Sequence, residues 1–217
     1  MGRDKDSGMS NELPLFPLNQ VLHSDGRMQL RVFETRYMDM VKQCLRDETP
    51  FGVCLIADGE EVLQRPGAMA TPHEVGVLAR IVDWEMPHLG ILDITVQGGD
   101  RFRILSRRCR DDGLQLAQTR LLPAPTQPLP AALNRLASML RALLDALENS
   151  PPKPHRFLDA AWVADRWAEI LPMPLSERQH LLELDNGVER LLVIQRFLDE
   201  GDIPPDLSDD LSDNPDD

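Results

Sequence analysis

The stretch that most constrains the fold covers residues 27–57 and has the pattern of a strand, a helix and a second strand. Apolar and polar residues alternate over Met28–Val32, which is typical of a half-buried strand. Over Arg36–Arg46 the apolar residues recur at spacings of three and four, so one face of the predicted helix can pack on a sheet. Pro50 ends this helix, and the apolar run Phe51–Ala57 has the length of a buried strand.

Strand patterns also occur on both sides of this stretch. Leu13–Leu18 is apolar but contains two prolines, which is typical of an edge strand. Alternating apolar residues predict further strands over Val75–Trp84, Gly90–Gln97, Arg101–Ser106 and Leu114–Leu122. Short strands with one early helix predict an antiparallel sheet that closes into a pseudo-barrel.

The glycine pair at Gly98 and Gly99 predicts a tight hairpin between the strands that flank it, because glycine tolerates a positive φ. In that hairpin Phe102 points inward, and Arg101 and Arg103 point outward as a candidate surface patch. The simplest interpretation of this patch is a solvated surface, and an acidic partner is the lesser alternative.

The proline-rich segment 123–130 precedes a region in which leucines recur at helical spacing. The sequence therefore predicts an α+β protein: a pseudo-barrel domain over residues 13–122, a linker over 123–130 and a helical bundle subdomain over 131–200. Residues 1–12 are expected to form a mobile leader, and residues 201–217 an acidic disordered tail.

The net charge of the 217 residues is −13, and residues 200–217 contribute eight of these negative charges, so the remainder carries −5. This balance disfavours nucleic acid as the main partner, because phosphate binding needs clustered Lys and Arg. Three separated cysteines and scattered histidines predict no metal site, and no cofactor motif occurs. With no apolar segment of spanning length, the protein is expected to be cytoplasmic and without membrane contact.

One motif between strand and helix supplies the candidate site residues, which are Phe33, Glu34, Arg36, Tyr37 and Phe51. Two interpretations are open. The favoured one is a corner motif that fixes the helix on the sheet, with its polar groups paired. In the other, these residues form the rim of an apolar groove that receives an extended peptide.

Several separated pieces of the chain resemble one known family when they are taken in order. They are Leu13–Val21 (LPLFPLNQV), Leu30–Tyr37 (LRVFETRY), Phe51–Val53 (FGV), Arg101–Ile104 (RFRI) and Leu171-Pro172. Together they resemble the N-terminal substrate-binding domain of Lon proteases, including its stand-alone relatives. The resemblance implies a pseudo-barrel of the kind found in pseudouridine-synthase-associated (PUA) domains, a following helical bundle, and recognition of polypeptide segments without catalysis.

The sequence does not favour the activities of a complete Lon protease. A Ser–Lys dyad needs a buried amine, and the three lysines, Lys5, Lys42 and Lys153, lie in the leader, on the predicted helix and in a proline cluster. ATP hydrolysis by a P-loop needs a Gly-Lys pair, which the chain lacks. We therefore predict that the chain is not an enzyme.

The predicted function is that of a non-catalytic Lon-type substrate-binding protein, an adaptor or regulator of proteolysis that recognises exposed polypeptide segments. The predicted binding place is the open edge of the barrel or a crevice between barrel and helices. The alternative is an RNA-binding PUA-like module, suggested by the barrel type and the Arg-containing hairpin.

Overall fold

A computed structural model describes residues 12–59, 70–122, 126–146 and 154–201. The strands are β1 (Leu13–Leu18), β2 (Arg27–Val32), β3 (Phe51–Asp58), β4 (Thr71–Pro72), β5 (Val75–His88), β6 (Ile91–Cys109) and β7 (Gln115–Leu121). The helices are α1 (Thr35–Asp47), α2 (Asn134–Ala146), α3 (Ala160–Ile170), α4 (Leu175–Glu183) and α5 (Gly187–Asp199), with a 3-10 turn over Ala131–Leu133. This order, strands with one early helix followed by helices, confirms the predicted α+β fold class.

Five of the strands close into a barrel in the order β1-β7-β6-β5-β3, because β1 and β3 pair with each other in parallel. The prediction that Leu13–Leu18 is an edge strand is wrong, since β1 has a neighbour on each side. It pairs with β7 through Leu13–Leu15 and with β3 through Leu15–Leu18. Pro14 and Pro17 therefore each lie where one side of the strand is open, and there a missing N–H group is tolerated.

The hairpin predicted at Gly98 and Gly99 is also wrong, because β6 runs through both glycines without a break. The chain turns instead just before β6, where Gly90 has a φ of +86°. Gly98 serves a close approach of two backbones: a Cβ there would lie 2.1 Å from the carbonyl oxygen of His23. Its N–H group donates to the carbonyl of Gly26. A glycine in a strand can therefore mark such an approach as well as a turn.

The outer halves of β5 and β6 extend beyond the barrel as a long hairpin, residues 80–97, which we call the arm. Its β6 half pairs with β2 through residues 92–97, and its β5 half pairs with that same part of β6. The pairing of β5 with β3 ends at Ala79. Among the described strands, none pairs with the outer side of residues 80–88, so the arm has a free edge.

The interior of the barrel is small and apolar. Leu15, Cys54, Phe102 and Ala117, from four different strands, pack together there and are fully buried. The Phe102 ring fits because glycines face it: a Cβ at Gly76 would lie 2.8 Å from the ring carbon Cζ. The interior therefore depends on one large side chain opposite residues that have none.

The helices have a separate apolar core, in which Trp167 of α3 is the largest fully buried side chain. Its indole N–H donates to the carbonyl oxygen of Leu136 at 3.0 Å, so its only polar group is satisfied. Of the predicted linker, residues 126–130 are described, and the carbonyl of Gln127 accepts a hydrogen bond from the N–H group at the start of α3. Residues 123–125, 1–11 and 202–217 lie outside the described residues, so the predicted leader and tail are not addressed.

Candidate functional site

Two members of the candidate motif, Tyr37 and Phe51, are buried parts of the attachment of α1 to the barrel. The ring of Tyr37 stacks on that of Phe16 at 4.1 Å between centroids, and Phe51 lies 6.0 Å from the same ring. Both side chains belong to the largest apolar cluster. Their position favours the corner interpretation, since three rings in contact hold the helix at a fixed angle.

Glu34 and Arg36 connect the start of α1 to the turn between β6 and β7. A nitrogen of the Arg36 guanidinium lies 2.8 Å from the Glu34 carboxylate, and another donates to the carbonyl oxygen of Gly113 at 3.0 Å. The guanidinium also lies over the ring of Tyr37 at 4.4 Å. Phe33, in contrast, is half exposed and does not join this cluster. Arg36 is thus a paired, nearly buried charge at the edge of the cavity described next.

A cavity of about 610 Å³, which we call the α1 groove, lies between α1 and the strands β1, β5 and β7. Its apolar wall includes Pro14, Met40, Pro50, Leu78, Leu116 and Leu121. Its polar rim includes Arg36, Asp39, Gln43, Asp47, Arg110 and Asp112. A groove with an apolar wall and a polar rim is suited to bind an apolar side chain together with its own polar backbone.

The charges around the α1 groove are largely paired with one another. Arg110 lies 2.8 Å from Asp112, and Arg108 donates to Glu12. The hydrogen bond from Arg108 holds the pKa of the Glu12 carboxyl below its usual value. Because the pairing is local and exposed, each of these ion pairs contributes little to the stability of the fold.

The two buried cysteines, Cys44 and Cys54, are unsuited to nucleophilic chemistry. Burial raises the pKa of the Cys54 thiol to about 12, and burial likewise raises the pKa of Cys44, which lies beside the α1 groove. Both thiols therefore stay protonated at neutral pH. Within the described part of the chain, no three His, Cys, Asp or Glu side chains are placed to hold a metal ion.

The predicted outward orientation of Arg101 is wrong, because α4 and the residues after it cover that face of the sheet. Arg101 is only 1% exposed, and its guanidinium donates to the carbonyl oxygens of Leu182 and Leu184 at 2.7 and 3.0 Å and to Asp185 at 3.1 Å. Burial lowers the pKa of its guanidinium. Arg103 is partly exposed and lies 3.4 Å from Glu74. The two arginines therefore do not form one surface patch.

Arg101 belongs to a buried polar contact between barrel and helices, which we call the junction and which also contains His23, Asp165 and Arg190. Arg190 donates to the Asp165 carboxylate at 2.8 Å, and Nδ1 of His23 lies 3.5 Å from the same oxygen. Burial alone would raise the pKa of Asp165, but the neighbouring imidazole and the Arg190 guanidinium outweigh it and hold that pKa below its usual value. Paired side chains therefore occupy this part of the contact between barrel and helices, where a crevice was predicted.

Sequence reasoning missed the junction because its members lie in four separate segments of the chain with no common spacing. One signal was present: Asp165 lies on the apolar face of α3, three residues from both Trp162 and Ala168, which are buried. A carboxylate on such a face needs a buried partner. The sequence does not show that this partner is Arg190, twenty-five residues later.

The geometry can be compared with known proteins. The model of the ATP-dependent protease La (LON) substrate-binding domain matches residues 12–200. The chain belongs to this family. A Lon N-terminal domain protein from Xanthomonas campestris has 34% sequence identity and a TM-score of 0.71, with 86% of this chain and 98% of that one covered. The N-terminal domain of a Mycobacterium avium complex Lon protease, at 15% identity and a TM-score of 0.60, shares the fold.

Full-length relatives of this Lon-type domain are much longer. It is 25% identical over 195 residues to the Lon protease of Anaeromyxobacter dehalogenans. That alignment covers 86% of this chain and 23% of the protease. It is 28% identical over 142 residues to the protein cereblon of Xenopus tropicalis. That alignment covers 64% of this chain and 30% of cereblon. The family resemblance seen in the sequence is confirmed, and it extends to the substrate-binding domain alone. Among the described helices, none is long and apolar enough to cross a membrane.

Proposed function

We propose that this Lon-type domain is a non-catalytic polypeptide-binding module, and that its α1 groove receives apolar segments exposed on unfolded or partly folded proteins. It would then act as an adaptor or regulator of proteolysis. The observation that carries the proposal is the groove itself, a cavity of about 610 Å³ with an apolar wall and a polar rim in a member of a substrate-binding family.

The dimensions and exposure of the groove support this role. Its volume is within the range of roughly 300–1,000 Å³ in which proteins bind small ligands and side chains. Leu121 on its wall is 54% exposed, although burial of a leucine side chain stabilises a protein. An incoming apolar side chain would cover it, and the rim would then face the polar backbone of the segment.

The test is equilibrium binding of a permanently unfolded model polypeptide, such as a reduced and carboxymethylated protein, to the purified chain. Leu121→Lys is expected to weaken this binding about tenfold, because it places a charge in the apolar wall. The matched control is Leu192→Lys, since Leu192 is 52% exposed on α5, away from the groove. Circular dichroism establishes that both variants are folded.

Three outcomes would contradict the proposal: no saturable binding by the unaltered chain, equal loss in both leucine variants, or turnover of a substrate by the pure protein. RNA binding is not favoured by the geometry, because Arg101 is buried in the junction and the Arg-containing patch is lost.

A further inference from the structure

We propose that the free edge of the arm binds an extended segment of a partner protein as an added β-strand, and that this segment alternates apolar and basic residues. This inference concerns a different surface from the α1 groove and does not depend on it. It rests on the open backbone of β5, on the side chains that alternate along that strand, and on their charge.

The backbone of the outer half of β5 is open to an added strand. Residues 80–88 pair with β6 on one side, and within the described residues no strand pairs with them on the other. One local bond is present there, from the N–H group of Trp84 to its neighbour Asp83 at 2.9 Å. Apart from that bond, the outward-facing N–H and C=O groups of residues 80–88 have no strand partner among the described residues, and such an edge is a template for strand addition.

The side chains along this edge alternate in character. Val82, Trp84 and Met86 are 46%, 55% and 46% exposed. Asp83 and Glu85 alternate with them and are also exposed. The pairing of β5 with β6 shifts register between Ile81 and Asp83 and again between Glu85 and His88, so strict alternation between opposite faces holds only over Asp83–Glu85. Over those residues the apolar row, represented by Trp84, lies on one face and the acidic row, Asp83 and Glu85, lies on the other.

The acidic row determines which charge the side chains of an added strand should carry. An added strand brings its side chains next to those of β5, where opposite charges stabilise the pair and like charges destabilise it. A second copy of this chain, joined edge to edge in the register that sets Asp83 and Glu85 against the same two carboxylates, is destabilised by like charges. A segment with basic residues on that face and apolar residues on the other complements both rows. Pro87 limits the ladder, because it has no N–H group to donate.

The fluorescence of Trp84 on the arm can report the binding of an added strand. The chain has three tryptophans, and Trp162 and Trp167 are buried while Trp84 is half exposed. A strand added to the edge covers Trp84, so its fluorescence should shift to shorter wavelength on binding. The probe is a short synthetic peptide that alternates valine and lysine, and the comparison peptide alternates valine and glutamate.

We expect the valine–lysine peptide to bind saturably, and the valine–glutamate peptide to bind at least about tenfold more weakly. The double variant Asp83→Lys, Glu85→Lys should reverse this preference. A control double variant, Asp199→Lys, Glu200→Lys, makes the same change of net charge at exposed positions at the end of α5 and should leave the preference unchanged.

A third peptide tests the strand itself. It is the valine–lysine peptide with every backbone N–H group methylated, which removes the donors from both of its edges and keeps its side chains. Strand addition predicts loss of binding. Equal binding of the methylated peptide, equal binding of the two charge types, or an unchanged preference in the arm variant would each overturn the proposal. Loss of unfolded-polypeptide binding in Leu121→Lys leaves it intact, so the two proposals fail separately.

Discussion

The barrel interior and the junction are both buried, but the interior consists of apolar residues and the junction of charged and polar ones. The interior contains Leu15, Phe102 and Ala117 and is shaped by glycines that make room for one ring. The junction contains Arg101, Asp165 and Arg190, whose polar groups bond to one another or to backbone carbonyls. The structure of the interior depends on how well the side-chain volumes fit together. The structure of the junction depends on each polar group having a hydrogen-bond or charge partner.

This difference predicts how a substitution in each region changes the stability of the protein. In an apolar interior, the cost of truncating a side chain increases with the volume of the cavity left behind. A buried charge whose partner is removed retains its full cost of desolvation. We therefore expect single substitutions in the junction to be at least as destabilising as those in the barrel, although its residues are polar.

The largest effect is expected for Asp165→Ala, which leaves the buried Arg190 without its carboxylate. The free energy of unfolding should fall by about 3–5 kcal/mol. Chemical denaturation measures this change. Asp199→Ala, at an exposed position on α5, is the control and should change stability by less than about 0.5 kcal/mol. Equal effects of the two substitutions would show that the junction charges are solvated.

Arg101 and Arg103, two residues apart on β6, give the next comparison. Arg101→Ala leaves the carbonyl of Leu182 without its donor and should cost about 2–4 kcal/mol. Arg103→Ala removes only an exposed pair with Glu74 and should cost less than about 1 kcal/mol. Denaturation of both variants tests whether burial, and not charge, sets the difference. A similar cost for both would contradict the junction geometry.

In the barrel interior, Gly76→Ala tests the fit around Phe102. The added Cβ would lie 2.5 Å from the carbonyl oxygen of Val53, so the backbone must shift, at a cost of about 1–3 kcal/mol. Gly99→Ala is the control, because its Cβ would meet nothing closer than 3.5 Å. Thermal unfolding of both proteins shows the difference as a lower midpoint for Gly76→Ala alone. If the midpoints agree, the interior is looser than the structure indicates.

The smallest effect expected is a pH dependence of stability that arises at Asp165. Its pKa is lower in the folded chain than in the unfolded chain, so its contribution is present above the unfolded pKa and is lost as the pH falls through the folded one. Denaturation at a series of acidic pH values should show a shallower decline in stability for Asp165→Asn than for the unaltered chain. Parallel curves would assign the acid sensitivity to other carboxylates.

Local patterns were enough to predict most of the strands and the early helix. The alternation over Met28–Val32 and the spacing of apolar residues over Arg36–Arg46 correspond closely to β2 and α1. These predictions depend on which residues of one segment face the same side, and that follows from the backbone geometry of the segment alone. Of the candidate motif, Tyr37 and Phe51 lie in the core, Phe33 is half exposed, and only Arg36 lines the α1 groove, so its role in binding stays a prediction.

The errors share one cause, which is that each involved a neighbour distant in sequence. Whether Leu13–Leu18 is an edge depends on β3 and β7, and whether Gly98 is a turn depends on the approach of His23. The burial of Arg101 depends on α4, some eighty residues later. The sequence by itself determined where most of the strands and the early helix lie and which family the chain resembles. Tertiary structure alone decided which arginine is buried, which edge is open and where the groove lies, because burial is a property of what packs on a residue.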